Sequence, residues 1–422
     1  MIQNLDVFLW GRKVGTLVTY KERYAEKICF YYDSDFLNAG YDIAPLRASI
    51  NSPSVRNGLP VYADSDKLFG GLPSFIADSL PDHWGNRVFN KWAKAHGIST
   101  RSLDRLAYIG RRGMGALEFL PPAAEDLEQP FKVEIAELYR LAQSALTEAR
   151  NFKAELHPDL MIESLFKVGT SAGGRRPKAI ININLETNEC YSGQVAAPMQ
   201  GFVPMIIKFD EHSSVPTTRI EYSYYLMAKE AGLQMMPSYL VEGEEAAHFM
   251  TERFDRQGGK KLHIQTLAAM KPTANSYEEL FDVACRLGVL PSELKQLFLS
   301  LTMNVLGGNV DDHNKNFSFL MADDGAWHIA PAYDYTFAID LSAPGYMNRH
   351  SMTINNKNVD IERSDLLELA KHYNIKGADA LIDKCLEAVS KFEHYADKAG
   401  IDGQWTQQIK EEISYRVSVL DK

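Results

Sequence analysis

One stretch limits what this 422-residue chain can fold into more than any other. Gly307-Gly308-Asn309-Val310-Asp311-Asp312-His313-Asn314-Lys315-Asn316-Phe317 is polar and ionisable, yet it lies between a helix-like apolar segment and a strand-like one. A plain connector there needs none of these groups. Two short strand patterns follow, Phe317–Met321 and Ala326–Ala330, joined by the turn sequence Ala322-Asp323-Asp324-Gly325. A hairpin with Met321 opposite Ala326 sets Asn316 opposite Pro331, which puts Asp334 within about 10 Å of Asn316 at the extended-chain limit. The spacing therefore predicts that Asp311, Asn316 and Asp334 gather at one end of a hairpin. Two acids and an amide gathered in this way can hold a hard divalent cation through oxygen and leave one carboxylate to take a proton. The plain alternatives are a helix-end turn for Asp311 and Asp312 with His313 as a satisfied polar contact, and a loop acid for Asp334. His313 has no second His or Cys at zinc-ligand spacing.

Phosphoryl transfer needs such an arrangement, and Asp311 and Asn316 stand at the Asp-x-x-x-x-Asn spacing of a protein-kinase catalytic loop, with Asp334 in the part of the second metal-binding acid. Upstream, Val168-Gly169-Thr170-Ser171-Ala172-Gly173-Gly174-Arg175-Arg176-Pro177-Lys178 joins a helix pattern to a strand pattern with three glycines, two hydroxyls and three cations. Such a loop can turn backbone N–H groups toward phosphate oxygens, although it is neither Gly-x-Gly-x-x-Gly nor the Walker pattern. Lys208 stands alone in the apolar run Met205-Ile206-Ile207-Lys208-Phe209 and needs an anionic partner, either a phosphate or a helix carboxylate such as Glu221. The alternative for Glu221 is a solvated residue near a helix N-terminus. Thr251-Glu252-Arg253-Phe254-Asp255-Arg256 reads either as a crossover offering backbone groups to an adenine edge or as a salt-bridged linker.

Around these motifs the chain divides into a first unit at 1–125, a β-rich unit at 126–258 and a helical unit at 259–422. Residues 5–20 read as a hairpin turning at Gly11-Arg12-Lys13, and Phe75 to His96 as one or two helices broken by Pro81. A helix follows from Ile135 to Arg150. Residues 165–255 read as an antiparallel sheet interrupted by a helix at 219–232, and the helical candidates beyond are Tyr277–Leu287, Leu294–Val305, Ser364–Tyr373, Ala378–Ala399 and Trp405–Leu420. Lys plus Arg number 45 against 55 Asp plus Glu, a net charge of −10, which disfavours a broad grip on nucleic-acid phosphates. Four scattered cysteines write neither a disulfide framework nor a zinc knuckle, which fits a reducing cytoplasm. No run reaches the roughly 18 apolar residues of a membrane span, and the first residues lack an export pattern, so neither membrane insertion nor export is expected.

These motifs, in this order, resemble the HipA family of bacterial serine/threonine kinases, the toxins of HipA–HipB toxin–antitoxin pairs. The resemblance covers nearly the whole chain. Leu72-Pro73-Ser74-Phe75-Ile76-Ala77-Asp78-Ser79-Leu80-Pro81-Asp82 and Ile109-Gly110-Arg111-Arg112-Gly113-Met114-Gly115-Ala116-Leu117 are similar to the family's amino-terminal subdomain. The loop ending in Lys178, the Lys208 strand, the Glu252–Arg256 run, Asp311-x-His313-x-Lys315-Asn316-Phe317 and Tyr333-Asp334 match its core. The resemblance implies an α+β, two-lobed protein-kinase-like fold, with a β-rich N-lobe, an all-helical C-lobe and an additional small α/β N-terminal subdomain. It implies Asp311 as catalytic base, with His313 and Lys208 among the catalytic groups. Asn316 and Asp334 would hold magnesium. Ser171, Gly173, Gly174, Lys178, Lys208, Glu252, Phe254 and Lys315 would contact ATP, Glu252 and Phe254 through main-chain groups beside adenine. Ser171 matches the serine that the family autophosphorylates to switch itself off, and a dianion inside a phosphate cradle would repel ATP. The partners implied are a HipB-like helix-turn-helix antitoxin, which alone would touch DNA, and a protein substrate, for which the family offers an aminoacyl-tRNA synthetase. Arg175-Arg176-Pro177 departs from the acidic and amide residues of some members, which bears on the inhibition behaviour, and Asp312 stands where some carry glycine, with consequences expected for substrate approach or the acidity of the base. The alternatives are a pseudokinase-like module that binds an antitoxin as corepressor, and a small-molecule phosphotransferase on the same plan.

Overall fold

The computed structural model describes residues 2–23, 25–63, 69–123, 129–147, 174–193, 199–211, 214–344 and 347–420. The chain forms two units. The first comprises Met1–Glu211, Met250–Gln265 and Met321–Ala326, and the second His212–Phe249, Thr266–Leu320 and Trp327–Lys422. In the first unit, β1 (Asn4–Leu9), β2 (Arg12–Glu22), β3 (Ala25–Tyr32), β4 (Val61–Tyr62) and β5 (Leu117–Leu120) form an antiparallel sheet in the order β4-β3-β2-β1-β5. The β1–β2 turn is made by Trp10 and Gly11, both at positive φ, which is the twist a two-residue hairpin turn requires. It therefore lies one residue earlier than the expected Gly11-Arg12-Lys13. Leu5, Val7 and Leu9 alternate onto the buried face of β1. The helix His83–Ala95 buries Trp84, Val88, Phe89 and Trp92, and Pro81 separates it from the short helix Ser74–Ala77, as the spacing predicts.

The same unit carries β6 (Lys178–Ile183), β7 (Cys190–Ser192) and β8 (Val203–Lys208), paired antiparallel in the order β7-β6-β8, and every residue of β6 is buried. Strand β10 (Ala247–Glu252) brings the chain back into this unit after β9 (Ser238–Glu242). A buried ion cluster follows. Asp255 accepts two hydrogen bonds from Arg253 at 2.9 and 2.8 Å, one from Arg256 at 2.8 Å and one from the Gly115 N–H at 2.7 Å. Arg256 also donates to the Gly113 and Gly115 carbonyls. Beyond it, β11 (Arg256–Gln257) and β12 (Lys260–Lys261) pair antiparallel and lead into β13 (His263–Thr266). The Thr251–Arg256 run is thus salt-bridged, and it lashes the chain after β10 to the Ile109–Leu117 segment.

Burial alone would raise the Asp255 carboxyl; the Arg253 and Arg256 guanidiniums reverse this and hold it well below the usual carboxylate range. Burial, with Arg253 beside it, brings the Arg256 guanidinium down to about 10.

The second unit is built on the helix Pro291–Gly307, in which every residue from Leu297 to Gly307 is buried. A helix apolar all round belongs at a core centre, and the helices Ala378–Ser390 and Gly403–Leu420 pack on it. The expected single helix Ala378–Ala399 is two, Ala378–Ser390 and Phe392–Ala399, with Lys391 leaving helical geometry between them. The break lets Phe392 meet Tyr224 of the helix Thr217–Glu230 edge to face, 6.0 Å between centroids. No helix among the described residues is long and apolar enough to cross a membrane, and all four cysteines are free thiols.

Replacing Asp255 with Asn strands two buried guanidiniums and should destabilise the first unit by about 3 kcal/mol or more in urea unfolding. Because the folded carboxyl binds its proton less readily than the unfolded one, this contribution is complete above about pH 4 and is lost as pH falls further. The difference between wild type and Asp255→Asn should therefore shrink in acid. A difference independent of pH down to strongly acidic conditions would contradict the assignment.

Candidate active site

The catalytic-loop candidates all lie in the second unit, on the segment that leaves the central helix. That helix stops at Gly308, whose φ of +68° places it in the left-handed region that a helix C-terminus favours. Asn309 and Val310 are buried, Asp311 is exposed and Asp312 is buried again. The Asn316 side-chain amide donates to the Asp311 carbonyl at 2.8 Å, and the Asn316 N–H donates to the His313 carbonyl at 2.9 Å, so the loop closes on itself across the expected spacing. With its NH₂ committed to a carbonyl, Asn316 offers its Oδ1 as the ligating atom. His313 Nδ1 accepts the Lys315 N–H at 3.3 Å, a contact that closes the turn, and the Lys315 carbonyl accepts the Tyr333 hydroxyl at 2.8 Å.

The strands β14 (Ser318–Met321) and β15 (Trp327–Ile329) follow. Their register differs from expectation by one residue. The Ala330 N–H donates to the Ser318 carbonyl at 2.9 Å, and the Ala322 N–H to the Ala326 carbonyl at 3.3 Å. Asp324 takes the Ala326 N–H at 2.9 Å, so the turn holds Asp323-Asp324-Gly325 rather than four residues. The ladder ends at the Ser318–Ala330 pair, and carried on past it the same register would set Asn316 level with Ala332, one residue nearer Asp334. Asp334 has a positive φ of +57°, a conformation that Asp tolerates better than bulky residues do. The Asp334 carbonyl accepts the Asn309 amide at 3.3 Å. A cavity of about 30 Å³ beside Asn316, Ser318, Tyr333 and Tyr335 has room for about one water.

Asp312, read from the sequence as bearing on substrate approach, proves to be the loop's internal anchor. Its Oδ2 accepts the Tyr277 hydroxyl at 2.7 Å and His350 Nδ1 at 2.9 Å, and its Oδ1 accepts the Ser351 N–H at 2.7 Å. Ser351 also donates to the Val310 carbonyl through its N–H and its hydroxyl. Burial, then the Asp312 charge, hold the Tyr277 phenol far above its usual range, so it donates at any working pH. Tyr277 caps this from below, with its ring edge-on to Phe317 at 5.5 Å. Sequence reasoning missed Tyr277, His350 and Asn304. Asn304 carried one readable signal, an amide amid the apolar residues Leu301-Thr302-Met303-Asn304-Val305-Leu306.

The phosphate-binding candidates lie in the first unit. Ser171 and Gly173, with most of the glycine loop, fall outside the described residues. Gly174 is held from both sides: its N–H donates to Asp82 at 3.1 Å and its carbonyl accepts the Trp84 N–H at 3.3 Å. Trp84 Nε1 donates to the Lys178 carbonyl at 2.8 Å. Lys178 and Lys208 face each other across the β6–β8 ladder, 3% and 9% exposed. A Cβ added at Gly174 would stand 2.6 Å from Lys178 Nζ, so the glycine's missing side chain makes room for that ammonium. Two cations directly opposed in a ladder are unfavourable without shared negative charge. In the departing run, Arg175 is exposed, while Pro177 is buried and its carbonyl starts the β6–β8 pairing by accepting the Phe209 N–H. Glu252 and Phe254 are half-buried where β10 ends. Glu221 is 3% exposed in its helix, which overturns its reading as a solvated residue.

Two family models match this chain: that of the HipA-like C-terminal domain over residues 170–414, and that of the HipA N-terminal domain over residues 5–120. The chain belongs to the HipA family. Among curated HipA-like relatives, the Sinorhizobium fredii protein named "Putative kinase Y4mE" is 25% identical over 363 residues, which span 79% of this chain and 77% of that protein. Among solved structures, the HipA of a Shewanella oneidensis MR-1 complex of HipA, HipB and operator DNA shares the fold, with a TM-score of 0.65 at 17% identity, covering 99% of this chain and 97% of that one. The Helicobacter pylori proinflammatory kinase CtkA aligns with 53% of this chain and 89% of its own at 15% identity and a TM-score of 0.37, too low to bear on the fold. The chain is therefore an α+β protein with the fold of that HipA.

Asp312→Asn exchanges a carboxylate for an amide that must point an N–H at a donor. It should cost the second unit about 2 kcal/mol, measured by urea unfolding. A variant as stable as wild type would remove Asp312 from its anchoring role.

Proposed function

We propose that this HipA-family chain is an ATP- and magnesium-dependent serine/threonine protein kinase, the toxin of a toxin–antitoxin pair. The observation that carries this reading is the Asn316–Asp311 hydrogen bond. It orients the Asn316 amide in the same loop as the exposed Asp311 carboxylate, and the backbone of Asp334, beyond the following hairpin, accepts a hydrogen bond from Asn309 of that loop. The donor set is all oxygen, which suits a hard cation that keeps several waters and phosphate oxygens as ligands. Magnesium held by Asn316 and Asp334 would neutralise charge building on the transferred phosphoryl group.

In this reading Asp311 accepts the proton of a substrate hydroxyl as that oxygen bonds to the γ-phosphorus and the bond to the ADP oxygen breaks. Lys178 and Lys208 supply positive charge to the phosphates, and Glu252 and Phe254 offer main-chain groups to adenine. His313 and Lys315 order the loop from within. Ser171 takes a phosphate that shuts the cradle. The partner is a helix-turn-helix antitoxin of HipB type, through which alone the protein reaches DNA, and the substrate is a cytoplasmic protein, with an aminoacyl-tRNA synthetase the first to try.

Asp311→Asn should lower phosphoryl transfer by about a hundredfold or more and relieve growth arrest, with an unchanged melting temperature. ATP with magnesium should stabilise wild type by about 2.7 kcal/mol at a hundredfold excess over Kd. Transfer by Asp311→Asn at the wild-type rate, or no shift with nucleotide and magnesium together, would refute the reading.

A further inference from the structure

A continuous chain of buried polar side chains runs from the catalytic loop to Asp334. The Tyr277 hydroxyl donates to Asp312 Oδ2 at 2.7 Å, the Asn304 amide donates to the Tyr277 oxygen at 2.9 Å, and the Asn309 amide donates to Asn304 Oδ1 at 2.8 Å. The second hydrogen of that Asn309 amide reaches the Asp334 carbonyl at 3.3 Å. All four side chains are buried, and they come from the helix Tyr277–Arg286, the central helix and the loop itself. From Asn309 the donors run one way through Asn304 and Tyr277 to the Asp312 carboxylate, a head-to-tail series that polarises along its length, while the second N–H of Asn309 runs the other way to Asp334.

Stability alone does not account for this series. Apolar residues of the same shape would fill the space with no desolvation cost. Moreover, Asn309 Oδ1 is buried with no hydrogen-bond partner among the described residues. The amide cannot flip to relieve this, because both of its NH₂ partners are acceptors. The cost is retained at the one residue whose NH₂ joins Asn304 to Asp334.

We propose that Tyr277 and Asn304 are positioning residues for phosphoryl transfer. Through Asn309 they couple the loop that carries Asp311 and Asn316 to the backbone of Asp334, so that base and metal ligands keep one geometry. This rests on the kinase reading for its chemistry, but the coupling is a property of the fold. Neither residue is placed to touch substrate. Their effect therefore falls on kcat and on the magnesium requirement, with KM for ATP nearly unchanged.

Tyr277→Phe removes one oxygen atom and tests the proposal. It should lower kcat about tenfold, raise the magnesium concentration for half-maximal activity several-fold, and speed amide hydrogen exchange in both 309–316 and 331–337. Combining it with Asn309→Ala should do no more than the worse single variant, since either breaks the same series. Effects that multiply, or a lowered melting temperature with wild-type kcat and magnesium dependence, would overturn the relay. If Tyr277→Phe does not fold, Asn309→Ala carries the same test alone. A wild type that turns over no ATP would sink the kinase reading and leave the exchange measurement to decide the relay. Unchanged exchange at 331–337 overturns the relay whatever the activity.

Discussion

The carboxylate of Asp312 gathers the Tyr277 hydroxyl, His350 Nδ1 and the Ser351 N–H on two oxygens, each at 2.9 Å or less, in the interior of the second unit. A buried charge is tolerated only when surrounded by donors in this way, so the loop has one place to sit. Because Asp312 faces inward, its neighbour Asp311 is exposed, and the Asn316 amide can close on the Asp311 carbonyl. The side chains that face outward for chemistry are set by the one that faces inward.

The first unit solves a different electrostatic problem. Lys178 and Lys208 oppose each other in a strand pair otherwise made of Ala, Ile, Asn, Val, Pro and Met, and two like charges so placed call for shared negative charge. The surroundings hold it rigidly: Trp84 bonds the Lys178 carbonyl, and Gly174 is docked between Asp82 and Trp84. The amino-terminal segment is thus more than an appendage. Its helix His83–Ala95 carries the tryptophan that fixes the start of β6, and its Gly113–Gly115 loop is bound into the Asp255 ion cluster. Both connections lie within one unit and make the cationic strand pair depend on residues far away in sequence.

What the sequence disclosed follows the range of the interactions. Local patterns read well: the Pro81 break, the helix limits around Tyr277 and Arg363, and the antiparallel β6–β8 pair all follow from spacing and composition. The Asp-x-x-x-x-Asn interval singled out Asp311 and Asn316, which share one loop and a hydrogen bond within it. The hairpin register was misread by one residue, since the Asp324 carboxylate bonds the Ala326 backbone and the turn takes three residues. The single helix expected from Ala378 to Ala399 divides because Phe392 has to reach Tyr224, a tertiary demand that no local pattern encodes. The role of Asp312 was hidden for the same reason, as its partners are Tyr277, His350 and Ser351, remote in sequence from the loop. For Glu221 the sequence left two readings open, a partner for Lys208 or a solvated residue near a helix start, and its burial removes the second.

The claim that Asn316 and Asp334 present oxygen to a single nucleotide-borne cation is tested most directly by crystals grown with Mn²⁺ and a non-hydrolysable ATP analogue, using the metal's anomalous signal. An anomalous peak is expected on Asn316 Oδ1 and the Asp334 carboxylate, at about 2.0–2.2 Å, close to the octahedral distances of magnesium. A peak on other residues, or a nucleotide bound with no cation at these two side chains, would contradict it.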